Sequence, residues 1–301
     1  MKTLIKWLIA VSCLAALAPA GAAVQVFACE PTWGALAKTL GGEAVSVYTA
    51  TNAYQDPHHI QARPSLIARL RRADLLVCDG AQLEIGWLPV LLRQAGNDKV
   101  QPGQPGNFAA TDHVQLLDKP ASVDRSQGDI HPAGNPHIQT DPRRIAKVAK
   151  ALAERLGAID PDHARQYAKR YRDFDARWQA AVARWTEQAA PLRGVKVVVH
   201  HKGWVYLLDW LGLKEVATLE PKPGVPPSAS HLSEVLGQLR RQPARMVIRA
   251  AYQDPRPAQW LAEHAHIPVV VLPFTVGGTD GAKDLFGLFD DTIARLLKGA
   301  Q

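Results

Sequence analysis

Residues 160–185 read DPDHARQYAKRYRDFDARWQAAVARW, and this stretch decides the architecture of the 301-residue chain. Asp160 and Pro161 form a helix start, in which a capping side chain precedes proline at the first helical position. Apolar and aromatic side chains then recur every three or four residues up to Trp185, with no Gly or Pro before Pro191. A helix of about 29 residues would be roughly 43 Å long. We expect one rod packed along two lobes, because the stripe lacks the regular aliphatic a and d positions of a coiled coil.

On both sides of this stretch, short apolar runs alternate with amphipathic segments, which is typical of parallel α/β architecture. Strands are predicted at residues 24–28, 45–49, 75–78, 195–199, 215–219, 246–249 and 269–272. Residues 99–136 are rich in Gly, Pro, Asp and Gln and are predicted to be a long loop region. The predicted fold is therefore two small lobes, each a mostly parallel sheet flanked by helices, with the ligand site between them. The predicted divisions are a leader at 1–22, an N-terminal lobe at 23–158, the connecting helix at 159–190 and a C-terminal lobe at 191–301.

The leader has the three-part layout of a secretory signal peptide. Two lysines precede an apolar run at 8–17, and small residues follow it. This run is about half of the roughly 20 residues that span a bilayer. Cleavage fits after Ala22 or Ala23, and the residues before Cys13 are a poor match to a lipid attachment site. We expect export to the periplasm.

The charge pattern argues against a nucleic-acid partner. The net charge is +7, but the basic residues are scattered among acidic neighbours instead of forming a dense run. No other segment is long and apolar enough to cross a membrane, so we expect the exported chain to be soluble and monomeric.

Two cysteines, Cys29 and Cys78, follow or end predicted strands. In an oxidising compartment, such a pair favours a disulfide. Two buried free thiols are the alternative.

Histidines are concentrated at predicted functional edges. His58 and His59 come after the second predicted strand, His137 precedes a predicted helix, and His200 and His201 end a strand of the second lobe. Ligands of open α/β sheets bind beyond the carboxyl ends of the strands, so these segments can face one cleft. Neutral imidazole suits Zn²⁺, and the sequence therefore predicts a transition-metal site.

Several short motifs occur together in a recognisable order. They are Asp56-Pro57-His58 with Pro64-Ser65, Gly80 with Leu83-Glu84 and Trp87-Leu88, Asn135-Pro136-His137 with Asp141-Pro142, His201 with Tyr206 and Gly212-Leu213, and the proline-rich run at 223–228. With the long connecting helix, they resemble the metal-binding class of solute-binding proteins that serve ABC-type zinc and manganese importers. The resemblance covers essentially the whole chain after the leader.

The resemblance implies that His58, His137 and His201 coordinate the metal. It places the fourth ligand, a carboxylate, after the last strand of the second lobe, where Asp280 is our choice and Asp284 the alternative. Manganese-type members tend to have Glu at the third position, so three nitrogens and one oxygen favour Zn²⁺ over Mn²⁺. Cu²⁺ or Ni²⁺ would bind comparably in vitro.

His59 and His200 would then point away from the ion, because adjacent residues on an extended segment face opposite ways. The resemblance further implies that zinc is cargo, captured in the periplasm and delivered to an inner-membrane ABC permease. A periplasmic metallochaperone is a further candidate partner.

Many zinc members carry a long loop rich in histidine and acids, and the corresponding stretch here is Asp112–His131. It has only two histidines, His113 and His131, so a plain flexible loop is the simpler interpretation. The alternative hypothesis is that His131, with Asp129, assists metal acquisition at the cleft mouth.

Two other classes of protein compete with a zinc carrier. An exported zinc hydrolase needs an open coordination position and a general base, but the chain has neither a His-Glu-x-x-His nor a Gly-x-Ser-x-Gly motif. Apart from Asp56, no carboxylate lies within two residues of the three candidate ligands in sequence. A binding protein for haem or a siderophore would share the connecting helix but relies on aromatic or Arg clefts. We therefore predict a binding protein and not an enzyme.

Overall fold

The structure, a computed structural model, describes residues 22–122 and 128–301. The predicted signal peptide, save its last residue, lies outside the described residues. Two four-stranded parallel sheets form the framework, with strand orders β2-β1-β3-β4 and β6-β5-β7-β8. The strands are β1 Val24–Ala28, β2 Val45–Thr49, β3 Leu75–Cys78, β4 Asn107–Ala109, β5 Lys196–Val199, β6 Lys214–Thr218, β7 Met246–Ala250 and β8 Val269–Leu272.

Helices connect the strands and cover both sheets. They are α1 Pro31–Gly41, α2 Pro64–Leu70, α3 Leu88–Ala95, α4 Pro142–Ile159, α5 Ala164–Gln188, α6 Val205–Leu211, α7 Ala229–Arg241, α8 Pro255–Ala265 and α9 Leu285–Gly299. Four of them begin at a proline, which lacks the N–H that the first helical turn would leave unpaired. The predicted fold class, two parallel α/β lobes joined by a long helix, is confirmed.

One element of the first lobe was missed by the sequence prediction. Residues 99–136 are not a continuous loop, because β4 pairs in parallel with β3 from Asn107 to Ala109. The strand has three residues, too few to show an alternating pattern. The backbone N–H of Leu76 in β3 also donates to Gly106 O, just ahead of β4.

Helix α5 is the spine of the molecule. Its 25 residues span about 38 Å, and it packs against α1 and α4 of the first lobe and α9 of the second. The helix begins later than predicted, because Pro161–His163 forms a 3-10 turn. Asp160 Oδ2 lies 2.8 Å from His163 Nδ1 and accepts from the Tyr167 hydroxyl at 2.6 Å. Trp178 is fully buried, with its ring 5.0 Å from that of Phe286 in α9.

A disulfide joins Cys29 and Cys78 at the carboxyl ends of the neighbouring strands β1 and β3, with the two Cα atoms 4.8 Å apart. The predicted bond is confirmed. It fixes the edge of the first sheet from which the site loops leave. Within the described parts of the chain, the structure has no helix that is both long and apolar enough to cross a membrane.

Candidate metal centre

Four imidazoles converge where the carboxyl edges of the two sheets meet. The His58 ring lies 5.5 Å from that of His131, 5.2 Å from that of His137 and 5.3 Å from that of His201, between ring centroids. The His137 and His201 rings are 5.5 Å apart. Single nitrogens of His58, His131 and His137 all lie within 4.8 Å of one another. The structure thus brings together the three histidines of the predicted set and adds a fourth.

Carboxylates orient two of these rings by hydrogen bonds at Nδ1. Asp56 Oδ1 is 2.7 Å from His58 Nδ1, and Glu220 Oε2 is 2.7 Å from His201 Nδ1. An ionised carboxylate only accepts, so we assign the proton of each ring to Nδ1, which leaves the lone pair on Nε2. His58 Nε2 is buried and has no hydrogen-bond partner among the described residues. The two carboxylates therefore fix the orientation of these rings.

Burial opposes ionisation of Asp56, but the hydrogen bond and positive charge of His58 outweigh it and lower the pKa of this carboxyl. Asp56 is therefore ionised at neutral pH. A dication bound by neutral imidazoles would be compensated by two charges, those of Asp56 and Glu220, one behind each ring.

His137 is completely buried, and neither of its ring nitrogens has a hydrogen-bond partner within the described structure. Burial, and then the positive charges of His58 and His201, hold the pKa of His137 well below its ordinary value. The ring is therefore a neutral imidazole with an unused lone pair. Such a buried, unpaired polar group is costly unless a ligand satisfies it.

Asn135 fixes the loop that carries His137 against the second lobe. Its side-chain Oδ1 accepts from the backbone N–H of His137 at 3.1 Å, and its Nδ2 donates to Lys202 O at 2.7 Å. The hydroxyl of Tyr206 donates to Asn135 O at 2.5 Å and accepts from the N–H of Leu117 at 3.1 Å. These bonds join the His137 loop to the segment that follows His201.

The other histidines of the two doublets, His59 and His200, lie beside the four-imidazole cluster, with the His59 ring 6.1 Å from that of His58 between centroids. His59 is exposed, and its Nε2 lies 3.6 Å from Asp129 Oδ2. His200 is buried with its pKa lowered, mainly by burial, and it lines the larger interlobe cavity. Asp280 is exposed in the turn before α9, and Asp284 caps α9 by accepting from Gly287 N–H at 2.8 Å. In the part of the chain that the structure describes, neither aspartate lines a cavity next to the imidazoles.

The sequence favoured a plain loop at His131, with an assisting role at the cleft mouth as the alternative, yet the His131 ring lies in the cluster. Burial, followed by the charges of His58 and His201, lowers the pKa of His131 to about 4. The chain turns back between His131 and His137 at Gly134, whose φ is 125°. The sequence signal is a second histidine six residues before His137 in a Gly- and Pro-rich turn, and alone it is weak.

Two cavities open from the cluster. One of about 910 Å³ is lined by His58, His201 and Glu220 together with residues of α7 and α8. The other, of about 370 Å³, is lined by His131, His137 and His201. The imidazoles therefore stand where the two spaces meet, and an ion can reach them from the surface.

A second buried polar cluster lies at the ends of β1 and β3, next to the disulfide. It comprises Glu30, Asp79 and Glu84, each at most 3% exposed. Burial, and then repulsion by Glu84, raises the pKa of Glu30 to about 8. Burial, and then repulsion by Asp79, raises the pKa of Glu84 to about 8. These carboxyls hold protons at neutral pH, unlike Asp56.

Comparison with known proteins agrees with this arrangement. The chain is 24% identical over 208 residues to the zinc-binding lipoprotein AdcA of Streptococcus pneumoniae, a match covering 68% of this chain and 40% of AdcA. It is 25% identical to the high-affinity zinc uptake system protein ZnuA of Paracoccus denitrificans, covering 89% and 87% of the two chains. It is 19% identical to the manganese ABC transporter substrate-binding lipoprotein PsaA of S. pneumoniae, covering 85% and 81%. The chain thus spans about two fifths of the length of AdcA.

The fold matches that of a crystal structure of ZnuA, with a TM-score of 0.75 and 20% identity, over 92% of this chain and 98% of that one. A family described as "ZnuA: Zinc-uptake complex component A periplasmic" matches residues 26–299, which is nearly the entire described structure. The two-lobed fold, the spine helix and the imidazole cluster thus have one common explanation: the chain belongs to the ZnuA family of periplasmic zinc-uptake components.

Proposed function

We propose that this chain captures Zn²⁺ between its lobes and delivers it to the membrane permease of an ABC importer. The observation that carries the proposal is the set of converging imidazoles with unpaired buried nitrogens on His58 and His137. Nitrogen donors of this kind are the ones that zinc prefers in tetrahedral sites.

The proposed set has three ligands that sequence and structure both favour, namely His58, His137 and His201. Asp280 is left out of the set because its side chain is exposed in the turn before α9, away from the cavities at the rings. Tetrahedral zinc with bonds of about 2.0–2.1 Å needs nitrogens about 3.3 Å apart. One nitrogen of His58 and one of His137 already lie within 4.8 Å of each other, and the His201 ring lies 5.3 Å from that of His58 and 5.5 Å from that of His137, between centroids.

Manganese is the competing cargo, and the PsaA relative shows that the comparison alone does not decide between the two ions. The donor chemistry favours zinc. Mn²⁺ is suited by oxygen donors, whereas the two nearby carboxylates, Asp56 and Glu220, already accept hydrogen bonds from His58 and His201. The donors that remain available to the ion are therefore imidazole nitrogens and not carboxylate oxygens.

A hydrolytic role is disfavoured by the same hydrogen bonds. A catalytic zinc needs a general base close to a bound water. Asp56 and Glu220 are the carboxylates hydrogen-bonded to rings of the cluster, and each is occupied in orienting an imidazole. We infer that the metal is cargo and that the chain is not an enzyme.

Delivery in the periplasm to a permease is supported by the family description, which names a periplasmic zinc-uptake complex, and by a relative named as the substrate-binding protein of an ABC transporter. The physiological test is zinc accumulation by cells grown with a chelator, with and without the gene. Equal accumulation in both cells would contradict delivery while leaving binding intact.

The direct test of the cargo is a competition titration of metal-free protein against a chromophoric chelator. We expect one zinc per chain and much weaker binding of Mn²⁺. His137→Ala should weaken zinc binding by about 100-fold, whereas the control His163→Ala, outside the cleft, should leave it unchanged. Failure of the unaltered protein to bind zinc stoichiometrically, or preferential binding of Mn²⁺, would refute the proposal.

A further inference from the structure

We propose that residues 128–131 form an interlobe strap whose His131 supplies the fourth imidazole of the metal site. The inference rests on the proposed function, zinc capture, and adds a ligand and the device that holds it. The strap lies across the mouth of the cleft, between the loop at 221–224 of the second lobe and the His58–His59 segment of the first.

The position of His131 is that of a ligand and not of a surface side chain. One nitrogen from each of His58, His131 and His137 lies within 4.8 Å of the others. Both ring nitrogens of His131 are buried, and in the described structure neither has a hydrogen-bond partner of normal geometry. A buried imidazole without partners is satisfied by an ion at the centre of the cluster.

The strap is fastened to the second lobe by its backbone. The N–H of Asp129 donates to Pro223 O at 2.8 Å. Two glycines permit this close approach: a Cβ on Gly128 would lie 2.1 Å from Pro223 O, and a Cβ on Gly224 would lie 2.1 Å from Asp129 Oδ2. Residues with a side chain at either position would push the strap away.

The strap is also connected to the ligand of the second lobe. Glu220 Oε2 accepts from the N–H of Gly224 at 2.9 Å and lies 2.7 Å from His201 Nδ1. On the other side, Asp129 Oδ2 lies 3.6 Å from His59 Nε2 in the first lobe. The same short segment therefore contacts the surroundings of His58 and of His201, and it places its own imidazole 5.5 Å from that of His58 and 6.2 Å from that of His137, between ring centroids.

Four imidazoles would complete a tetrahedral zinc site without a carboxylate. Such a set needs no ligand from Asp280, which is exposed in the turn before α9. A closed set of four protein ligands also leaves no position for a reactive water, which suits cargo.

The first test counts ligands. X-ray absorption of the zinc-loaded protein should show four imidazoles, and His131→Ala should show three and bind zinc about 100-fold more weakly. The matched control is His113→Ala, the other histidine of the same loop region, which should retain four imidazoles and full affinity. Three imidazoles in the unaltered protein, or unchanged affinity in His131→Ala, would overturn the strap while leaving zinc capture by the other three histidines standing.

The second test perturbs the contact between the strap and the loop at 221–224 without altering a proposed ligand. Gly224→Ala should weaken zinc binding, because its methyl group would overlap the Asp129 carboxylate. Adding Asp129→Ala to this variant removes that overlap but not the backbone strain at φ +76°. Recovery of zinc affinity in the double variant supports the strap. Unchanged zinc affinity in Gly224→Ala contradicts it.

Discussion

Replacing Glu220 by Gln tests whether a carboxylate behind an imidazole contributes to metal affinity. Glu220 Oε2 lies 2.7 Å from His201 Nδ1, and the side chain is only 13% exposed. The substitution keeps the shape and an acceptor oxygen but removes the charge. Hydrogen bonds to charged groups contribute about 1.5–3 kcal/mol and neutral ones about 1 kcal/mol, so the expected loss is about 0.5–2 kcal/mol. That is roughly tenfold in the dissociation constant of zinc.

The assay is a competition titration of each metal-free variant at one pH and one ionic strength, with thermal melting to verify folding. The matched control is Asp160→Asn, since Asp160 Oδ2 lies 2.8 Å from His163 Nδ1 in the same way but away from the cleft. Asp160→Asn should leave zinc affinity unchanged. The reasoning is refuted if Glu220→Gln binds zinc as the unaltered protein does, or if the control loses as much.

The remaining predictions concern the stability of the first lobe. Removing the disulfide with Cys29→Ala and Cys78→Ala opens a link across 49 residues, which should lower the free energy of unfolding by about 2–4 kcal/mol in urea denaturation. The raised pKa of Glu30, about 8, predicts stability that is full below its ordinary pKa near 4.5 and is lost as the pH rises through 8. Glu30→Gln should therefore flatten the decline in unfolding free energy of the metal-free protein between pH 5 and pH 8, by up to about 1.4 kcal/mol per pH unit.

Each of these has a clear contrary result. A protein equally stable with and without the disulfide would show that the folded sheet edge, and not the bond, holds β1 beside β3. Parallel stability curves for Glu30→Gln and the unaltered protein would show that Glu30 is ionised in the folded chain. Exposed Glu234 offers a control for the latter, because Glu234→Gln should leave the pH dependence unchanged.

The sequence correctly predicted the helices and strands whose apolar residues show a regular spacing within the element itself. Trp178 and Trp185 lie on the buried face of α5, and β3 begins and ends at the residues that its apolar run predicts. In both elements the spacing of the apolar residues along the chain is enough to show which side chains are buried. β4 was missed because a three-residue edge strand is stabilised by its neighbour and has no pattern of its own. The strand ends then placed His58 and His201 near each other through a general property of parallel sheets.

His131 could not be placed in the same way. Its position depends on a hydrogen bond from Asp129 to Pro223 and on the small size of Gly128 and Gly224, which lie 96 residues apart in the chain. Such long-range contacts have no periodicity to reveal them. Asp280 shows the opposite case, in which a family resemblance suggested a ligand whose side chain this structure leaves exposed.

The spine helix has a calorimetric consequence. Because α5 packs against both lobes along about 38 Å, the lobes are held together before any ion arrives, and binding requires little more than the approach of a few side chains. Heat-capacity changes on binding report the burial of apolar surface. Zinc uptake by this chain should therefore proceed with a heat-capacity change near zero, unlike a receptor that closes its two halves around its ligand.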